Sequence, residues 1–359
     1  MALFLRSLKK RPQNILIART DRIGDFVLTL PVFSAIQNQL GMEFSVLCQE
    51  SVTPLLKNNP DTKSIITVSE NLDELAEEIK KHQFDALVVL VNDRFIRRLL
   101  PKLKFIPVRI GPLNKASALF AYTHPVIQKR SKSICNEAEY NLELLKIFGQ
   151  SEISGSRPQL YFANEEIEAL RSRLPKLLES SSLPKTFTIL HQGMGGSALN
   201  WKQTSYFSLL SMILKQGHSV IMTGTGKEEV QQNRKFSDQL KGDYPNQLFD
   251  ITNKISLREL AILIHLGNLF IGPSTGPTHI ANAAGTSIIS FYPPIQVQST
   301  KRWEPYLGIS ALFTPDVPCG QKFRCIGEKC RDYYCMDLIT PEAVFETYLQ
   351  MVGDGEEVK

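Results

Sequence analysis

Nowhere does the chain hold an apolar run approaching the ~18 residues that a membrane-crossing helix needs. It has no G-x-x-x-x-G-K-[ST], which excludes a Walker A phosphate loop. No G-x-G-x-x-G opens the first strand–helix turn, which excludes the dinucleotide fingerprint. Asp-x-Asp is missing too, so no pair of carboxylates is set to clamp a metal onto a diphosphate, and no metal ligands are assigned. No recognised nucleic-acid motif occurs, so nucleic acid is not an expected partner.

One further absence is local. From Arg94 to Asn136 there is neither Asp nor Glu. That window holds Arg94, Arg97, Arg98, Lys102, Lys104, Arg109, Lys115, Lys129, Arg130 and Lys132, while the chain as a whole is only +5. A solvated basic face is the ordinary reading of such a run. An acid-free stretch this long also suits an anionic partner, such as a phosphorylated acceptor or an acidic membrane surface. Arg97, Arg98 and Lys102 at its centre are the candidate contacts.

What is present fits a globular chain of two domains. There are 359 residues, 43% hydrophobic and 21% charged. The opening MALFLRSLKKRPQ sets a short apolar patch ahead of its charges, the reverse of a secretory leader, so a cytoplasmic protein is expected.

Short apolar runs alternate with amphipathic helical patterns. Expected strands are Ile15–Arg19, Phe44–Cys48, Ser64–Val68, Ala86–Val91 and Val108–Gly111, then Phe187–His191, Ser219–Thr223, Leu248–Asp250, Leu269–Gly272 and Ser287–Phe291. Expected helices include Asp73–His82, Glu137–Phe148, Asn164–Leu178, Tyr206–Gln216, Glu228–Leu240, Leu257–Leu266 and a closing Pro341–Met351. Alternation of this kind gives parallel sheets covered on both faces. The Ser-, Gly- and Pro-rich stretch QSEISGSRPQLYFANEE marks the join, with domains at 1–160 and 161–359.

In such folds ligands bind beyond the carboxyl ends of the strands. Three second-half loops lie there. In HQGMGGSALNWKQ, glycines including Gly195 let the backbone approach a ligand, and Ser197 and Lys202 add polar groups. In MTGTGKEE, Thr223 ends a strand and Glu228 opens a helix, either as a simple dipole partner or as a carboxylate for ribose hydroxyls. In FIGPSTGPTHIANAAG, Ser274, Thr275 and Gly276 sit where free N–H groups and the helix dipole converge, with His279 one turn on. Three such loops in one half point to a nucleotide, its diphosphate held by amides, hydroxyls and dipoles.

The first strand ends differently, in ILIARTDRIGDFVLTLP. Here Asp25 suits a general base and Arg22 a bidentate anion contact, with Gly24 bending the loop between them. The competing role for Asp25 or Asp21 is to cap the next helix. Pro31 requires that helix to start late or kink.

Four of six cysteines crowd into CGQKFRCIGEKCRDYYC, at Cys319, Cys325, Cys330 and Cys335. Their gaps of five, four and four residues are wider than the paired spacings of zinc sites. A thiol-rich structural loop is the expectation, with a metal or redox role as the alternative.

RTDRIGDFVLTLP, GGSALNWKQ, ISLRELAILIHLGNLFIGPSTGPTHIANAAGTSIISFYPP and RWEPY together resemble glycosyltransferase family 9, the lipopolysaccharide heptosyltransferases and their relatives. The resemblance implies a GT-B fold, α/β, with two Rossmann-like doubly wound domains facing across a cleft. It implies an inverting transfer of a sugar, typically heptose from ADP-heptose. No tightly bound cofactor is implied, the ADP-sugar being a substrate. The N-terminal domain would take an anionic lipid-linked glycan acceptor at the cytoplasmic face of the inner membrane, and the C-terminal domain the nucleotide-sugar. Carried over by position, the catalytic aspartate falls on Asp25, the phosphate contacts on Thr275, Gly276 and His279, and the ribose acid on Glu228. Ser274 stands where many relatives carry Asp. Leu199 stands where many carry Lys, with Lys202 nearby to compensate. Two other classes fit the same folds: a nucleotide-sugar epimerase and a non-catalytic nucleotide- or glycan-binding subunit.

Overall fold

The computed structural model describes residues 3–4, 8, 10–113, 121–149, 152–196 and 198–353. Ser197 and Lys115 lie outside the described residues. The chain divides into two compact units, Met1–Tyr161 and Phe162–Lys359.

The first unit carries β1 (Leu3–Phe4), β2 (Asn14–Ala18), β3 (Glu43–Cys48), β4 (Ile65–Thr67), β5 (Ala86–Val89), β6 (Val108–Pro112) and β7 (His124–Ile127). They form one sheet in the order β1-β7-β6-β5-β2-β3-β4. All pairs are parallel except β1 with β7. β2 lies at the centre, with Ile15 opposite Phe44 on one side and Ala86 on the other. A central parallel strand is covered on both faces, and this is why Ile15, Leu16, Ile17 and Ala18 run apolar without alternation and are fully buried.

The second unit carries β8 (Thr188–Leu190), β9 (Val220–Met222), β10 (Leu248–Asp250), β11 (Leu269–Pro273), β12 (Ser287–Phe291) and β13 (Ser310–Phe313). Its sheet is wholly parallel, in the order β10-β9-β8-β11-β12-β13. Trp201 anchors the core on one side. Its ring stacks on Phe291 at 4.3 Å, and its Nε1 donates to the Ile339 carbonyl at 2.8 Å. The helix Leu257–Leu266 has both halves of a capping box, Ser256 Oγ accepting from Glu259 N and Glu259 Oε2 accepting from Ser256 N.

Setting aside the antiparallel β1, both sheets have the same wiring. The first strand lies centrally, two strands follow to one side, and the chain then crosses over and builds outward on the other side. The order reverses between β2 and β5 in the first unit and between β8 and β11 in the second. Such reversals leave a crevice at the strands' carboxyl ends.

The structure adds elements that the apolar runs did not show: β1, β7, β13 and the helices Ile23–Val27, Leu30–Ala35 and Arg94–Leu99. The two helices after β2 show what Pro31 does. The chain breaks at Leu28–Thr29, and the second helix begins with Pro31 in its first turn, where a missing N–H costs nothing. Gly24 lies within the helix Ile23–Val27, so it does not bend a loop as the sequence suggested.

Candidate active site

In the first unit, the chain leaves β2 through Arg19 and Thr20, both buried. The Arg19 guanidinium grips both oxygens of Asp21, with Nε to Oδ1 at 2.6 Å and Nη2 to Oδ2 at 2.8 Å. Nη2 also reaches Asp25 Oδ1 at 2.9 Å, and Nη1 reaches Glu137 Oε1 and Asn141 Oδ1, each at 3.2 Å. Burial works against the Arg19 charge. Asp21, Asp25 and Glu137 more than offset it and hold its pKa above the usual range. Glu137 receives a second cation, Arg130 Nη1, at 2.5 Å.

Asp25 sits in the first turn of the helix Ile23–Val27, whose N-cap position belongs to Arg22 and carries no side-chain cap. Arg22 itself is exposed. Across the reversal, Thr20 Oγ1 donates to Asp93 Oδ2 at 2.7 Å, and Asp93 Oδ1 caps the helix Arg94–Leu99 by accepting from Ile96 N. Beside them, Asn92 Oδ1 and Tyr122 Oη are buried with no hydrogen-bond partner.

The basic window divides once folded. Arg94, Arg97, Arg98, Lys104, Lys129 and Lys132 are exposed. Arg109 is turned inward onto the carbonyls of Ile106 and Ala121, and burial lowers its pKa. Arg130 serves Glu137, and Lys102 pairs with Asp73. The exposed positive face is thus smaller than a count of the window gives.

In the second unit, β11 ends at Pro273 and the helix Gly276–Ala284 begins with Thr275 at its N-cap. Thr275 makes no side-chain cap, and its buried Oγ1 has no partner. His279 is buried one turn on, and its Nδ1 also has no partner. Burial lowers the His279 pKa to about 4, so the ring is neutral at pH 7. Two unpartnered polar atoms at the positive end of a helix, outside a topological reversal, make a receptor for an anion such as a phosphate. Ser274 lies beside them, half-buried, its N–H donating to the Phe291 carbonyl.

The other side of that reversal is the end of β8. His191 Nδ1 and Thr223 Oγ1 share a hydrogen bond at 3.0 Å, and burial lowers the His191 pKa to about 4. Gly193 follows. A Cβ there would lie 1.9 Å from the Glu229 carboxylate, so any larger residue would push that carboxylate away from the end of β8. Glu229 Oε2 accepts from Thr225 N at 2.7 Å, and burial raises its pKa. Glu228, its neighbour in the first turn of the helix Gly226–Leu240, is exposed. Gly195 and Gly196 adopt φ of +54° and +71°, with open space where a side chain would stand. Lys202 faces elsewhere. It pairs with Asp337 and sits 4.5 Å over the Tyr334 ring, in the cysteine-bearing segment.

The profile of glycosyltransferase family 9 (heptosyltransferase) matches residues 73–328. The chain belongs to glycosyltransferase family 9. As a member it is a glycosyltransferase, and its α/β fold is of the GT-B class. Among relatives of family 9, a Haemophilus influenzae protein carrying a glycosyltransferase name is 28% identical over 320 residues, covering 86% of this chain and 91% of that one. Lipopolysaccharide heptosyltransferase 3 of Escherichia coli is 22% identical over 285 residues, 75% of this chain and 80% of that one. The solved structure of E. coli ADP-heptose lps heptosyltransferase II superposes with a TM-score of 0.77 at 16% identity, covering 96% of this family 9 chain and 99% of the other.

Several of these groups escaped the sequence. Arg19 read as the end of a strand and Glu137 as the opening acid of a helix; folding brings them within 3.2 Å across 118 positions. Asn92 and Tyr122 carried no signal. Glu229 was legible only as one of two adjacent acids.

Proposed function

We propose that this enzyme is an inverting glycosyltransferase that moves heptose from ADP-heptose onto the lipopolysaccharide core or a related anionic, lipid-linked glycan. The observation that carries the reading is the pair of unpartnered atoms, Thr275 Oγ1 and His279 Nδ1, at the start of the helix Gly276–Ala284. They suit the donor's diphosphate, together with Ser274 and the Gly276 backbone. Gly195 and Thr223 belong to the same donor region. Of the two acids on the helix Gly226–Leu240, Glu229 is the better ribose contact than Glu228, because its carboxylate lies against Gly193 at the end of β8. Lys202 is left out of the donor set because Asp337 and Tyr334 engage it.

In this reading the first unit binds the acceptor. Asp25 takes the proton of the acceptor hydroxyl as oxygen attacks the anomeric carbon from the face opposite the diphosphate, and ADP departs. Arg19 fixes that carboxylate through one oxygen. Arg22, Arg97 and Arg98 meet the acceptor's anionic groups. Such an acceptor places the enzyme at the cytoplasmic face of the inner membrane. No helix among the described residues is long and apolar enough to cross a membrane.

The test is to incubate the protein with several nucleotide-sugars and follow nucleotide release with and without a lipid-A-type acceptor. Release of ADP that requires the acceptor supports transfer. Turnover of the sugar without acceptor supports an epimerase, and binding without turnover a silent subunit.

A further inference from the structure

The Arg19 guanidinium has five N–H groups and makes five contacts with them. Nε meets Asp21 Oδ1 at 2.6 Å, and Nη2 divides between Asp21 Oδ2 at 2.8 Å and Asp25 Oδ1 at 2.9 Å. Nη1 divides between Glu137 Oε1 and Asn141 Oδ1, each at 3.2 Å. A planar fork engaged on every edge has one orientation. The edge that faces Asp25 is therefore set by the edge that faces Glu137 and Asn141.

Those two residues stand one turn apart on the helix Glu137–Glu143, a spacing that puts both on one face. Asn136 and Glu139 fix the start of that helix with a capping box. Glu137 is 1% exposed and Asn141 0%. Each also serves a second arginine, Arg130 Nη1 donating to Glu137 Oε1 at 2.5 Å and Arg130 Nη2 to Asn141 Oδ1 at 3.4 Å. Asn141 then turns its amide nitrogen the other way. Its Nδ2 donates to the Leu28 carbonyl at 3.2 Å. Leu28 is the C-cap of the helix Ile23–Val27, which carries Asp25 in its first turn. One helix thus grips both the cation that holds Asp25 and the end of the short helix on which Asp25 stands.

Stability alone does not ask for this arrangement. A buried ion cluster is often no more stable than well-packed apolar side chains of the same volume. What a connected polar network adds is a single geometry. Proton abstraction needs that geometry, because a base must stay within hydrogen-bond reach of the hydroxyl, and a misplacement of about 1 Å can cost roughly 100-fold in rate.

We propose that Glu137 and Asn141 are positioning residues for the transfer step, holding Asp25 in place through Arg19 and, for Asn141, also through the Leu28 carbonyl. The inference rests on Asp25 being the base. Neither residue is assigned a contact with donor or acceptor, so their loss belongs in kcat and not in KM.

Glu137→Gln and Asn141→Leu keep the approximate shape and remove the charge and the amide, respectively. Each is expected to lower kcat by roughly 10- to 100-fold, with donor and acceptor KM within about twofold of wild type. Rates are read well below each variant's melting temperature. In an Asp25→Asn background the same changes should cost almost nothing more, because a base already removed cannot be misplaced. A helix with a purely structural role gives an equal rate loss in both backgrounds, and that result overturns the proposal. Wild-type kcat in both single variants overturns it too, as does a raised KM with kcat unchanged. Asp25→Asn by itself separates the two readings. Wild-type kcat there removes the base assignment and this inference with it. A lowered kcat there, beside wild-type kcat in Glu137→Gln and Asn141→Leu, removes the positioning role alone. Should either variant fail to fold, Asn141→Ser, which keeps a hydroxyl in place of the amide, is read by the same cycle.

Discussion

Arg19 and Asp25 are joined by a 2.9 Å ion pair at the end of the central strand of the first unit, and the same guanidinium holds both oxygens of Asp21. One buried cation thus sets the position of two carboxylates. Asp21 has both oxygens on Arg19, while the Arg19 contact to Asp25 is through Oδ1.

Asp25→Asn keeps the shape and removes the basicity. It is expected to lower kcat by at least ~100-fold, the lower end of a general base's contribution. Nucleotide affinity should hold, and melting temperature should fall less than in Arg19→Met, because Arg19 keeps Asp21 and Glu137. Asp21→Asn is the control for this experiment. A larger rate loss at Asp21 would show that the other carboxylate is the base.

Arg19→Met leaves Asp21 and Asp25 without their shared cation and takes one of two from Glu137. The expected cost is about 3–5 kcal/mol of stability, typical of breaking a buried ion pair from one side. Chemical denaturation measures it. Arg19→Lys should fall between, keeping the charge but losing the fork that reaches three acids at once. Wild-type stability in the methionine variant would mean that the network contributes nothing net.

Thr275→Ala and His279→Ala remove groups that have no partner within the protein for the named atoms. Each is expected to weaken nucleotide binding by about 1.5–3 kcal/mol, roughly 10- to 150-fold, as for a hydrogen bond to a charged group. Calorimetric titration with ADP reads this directly. Unchanged affinity in both variants would remove the diphosphate from this helix.

Stability should depend on pH in a direction set by two histidines. His191 and His279 have folded pKa values of about 4 against an ordinary 6.5, in both cases through burial. Between those values the unfolded chain takes up protons that the folded chain refuses. Stability therefore falls as pH drops from 6.5 toward 4, and these residues add no slope above 6.5. His279→Gln should flatten that fall in a series of melts. Glu229 acts with the opposite sign. Burial raises its pKa from 4.5, so its charge costs stability at pH 7. Glu229→Gln should raise the melting temperature at pH 7, with the gain vanishing below about 4.5, while weakening donor binding.

Reversing Arg97 and Arg98 to Glu should raise the acceptor KM or weaken binding to anionic vesicles, most strongly at low salt. Lys102→Glu should do less, because Asp73 already engages that lysine. Equal constants at low ionic strength would leave this face merely solvated.

Much of the architecture was legible because buried parallel strands read as apolar runs. The central strand and the helix Leu257–Leu266 stand where their patterns placed them. β7 escaped because it has four residues, one of them Pro125, and β13 because SALF is short and only half-buried. For the site, motifs pointed to Asp25 and to Thr275 with His279. Tertiary contacts were invisible. Lys202 looked like a donor contact because it follows a glycine loop, yet its partner lies 135 positions later. Glu228 and Glu229 are adjacent, and on a helix adjacent side chains point about 100° apart, which no local pattern resolves.

Every strand of the first sheet comes from the first 161 residues, and every strand of the second from the remainder. Neither sheet waits for a strand from the other half. During synthesis the first unit can therefore complete its sheet while the ribosome is still making the second, an interval of roughly 10–40 s at about 5–20 residues per second. A nascent chain stalled after the Ser- and Gly-rich join would already contain the whole Arg19 network, including Glu137 and Arg130. Its resistance to protease on the ribosome would report the folding of that half before any donor-binding loop exists.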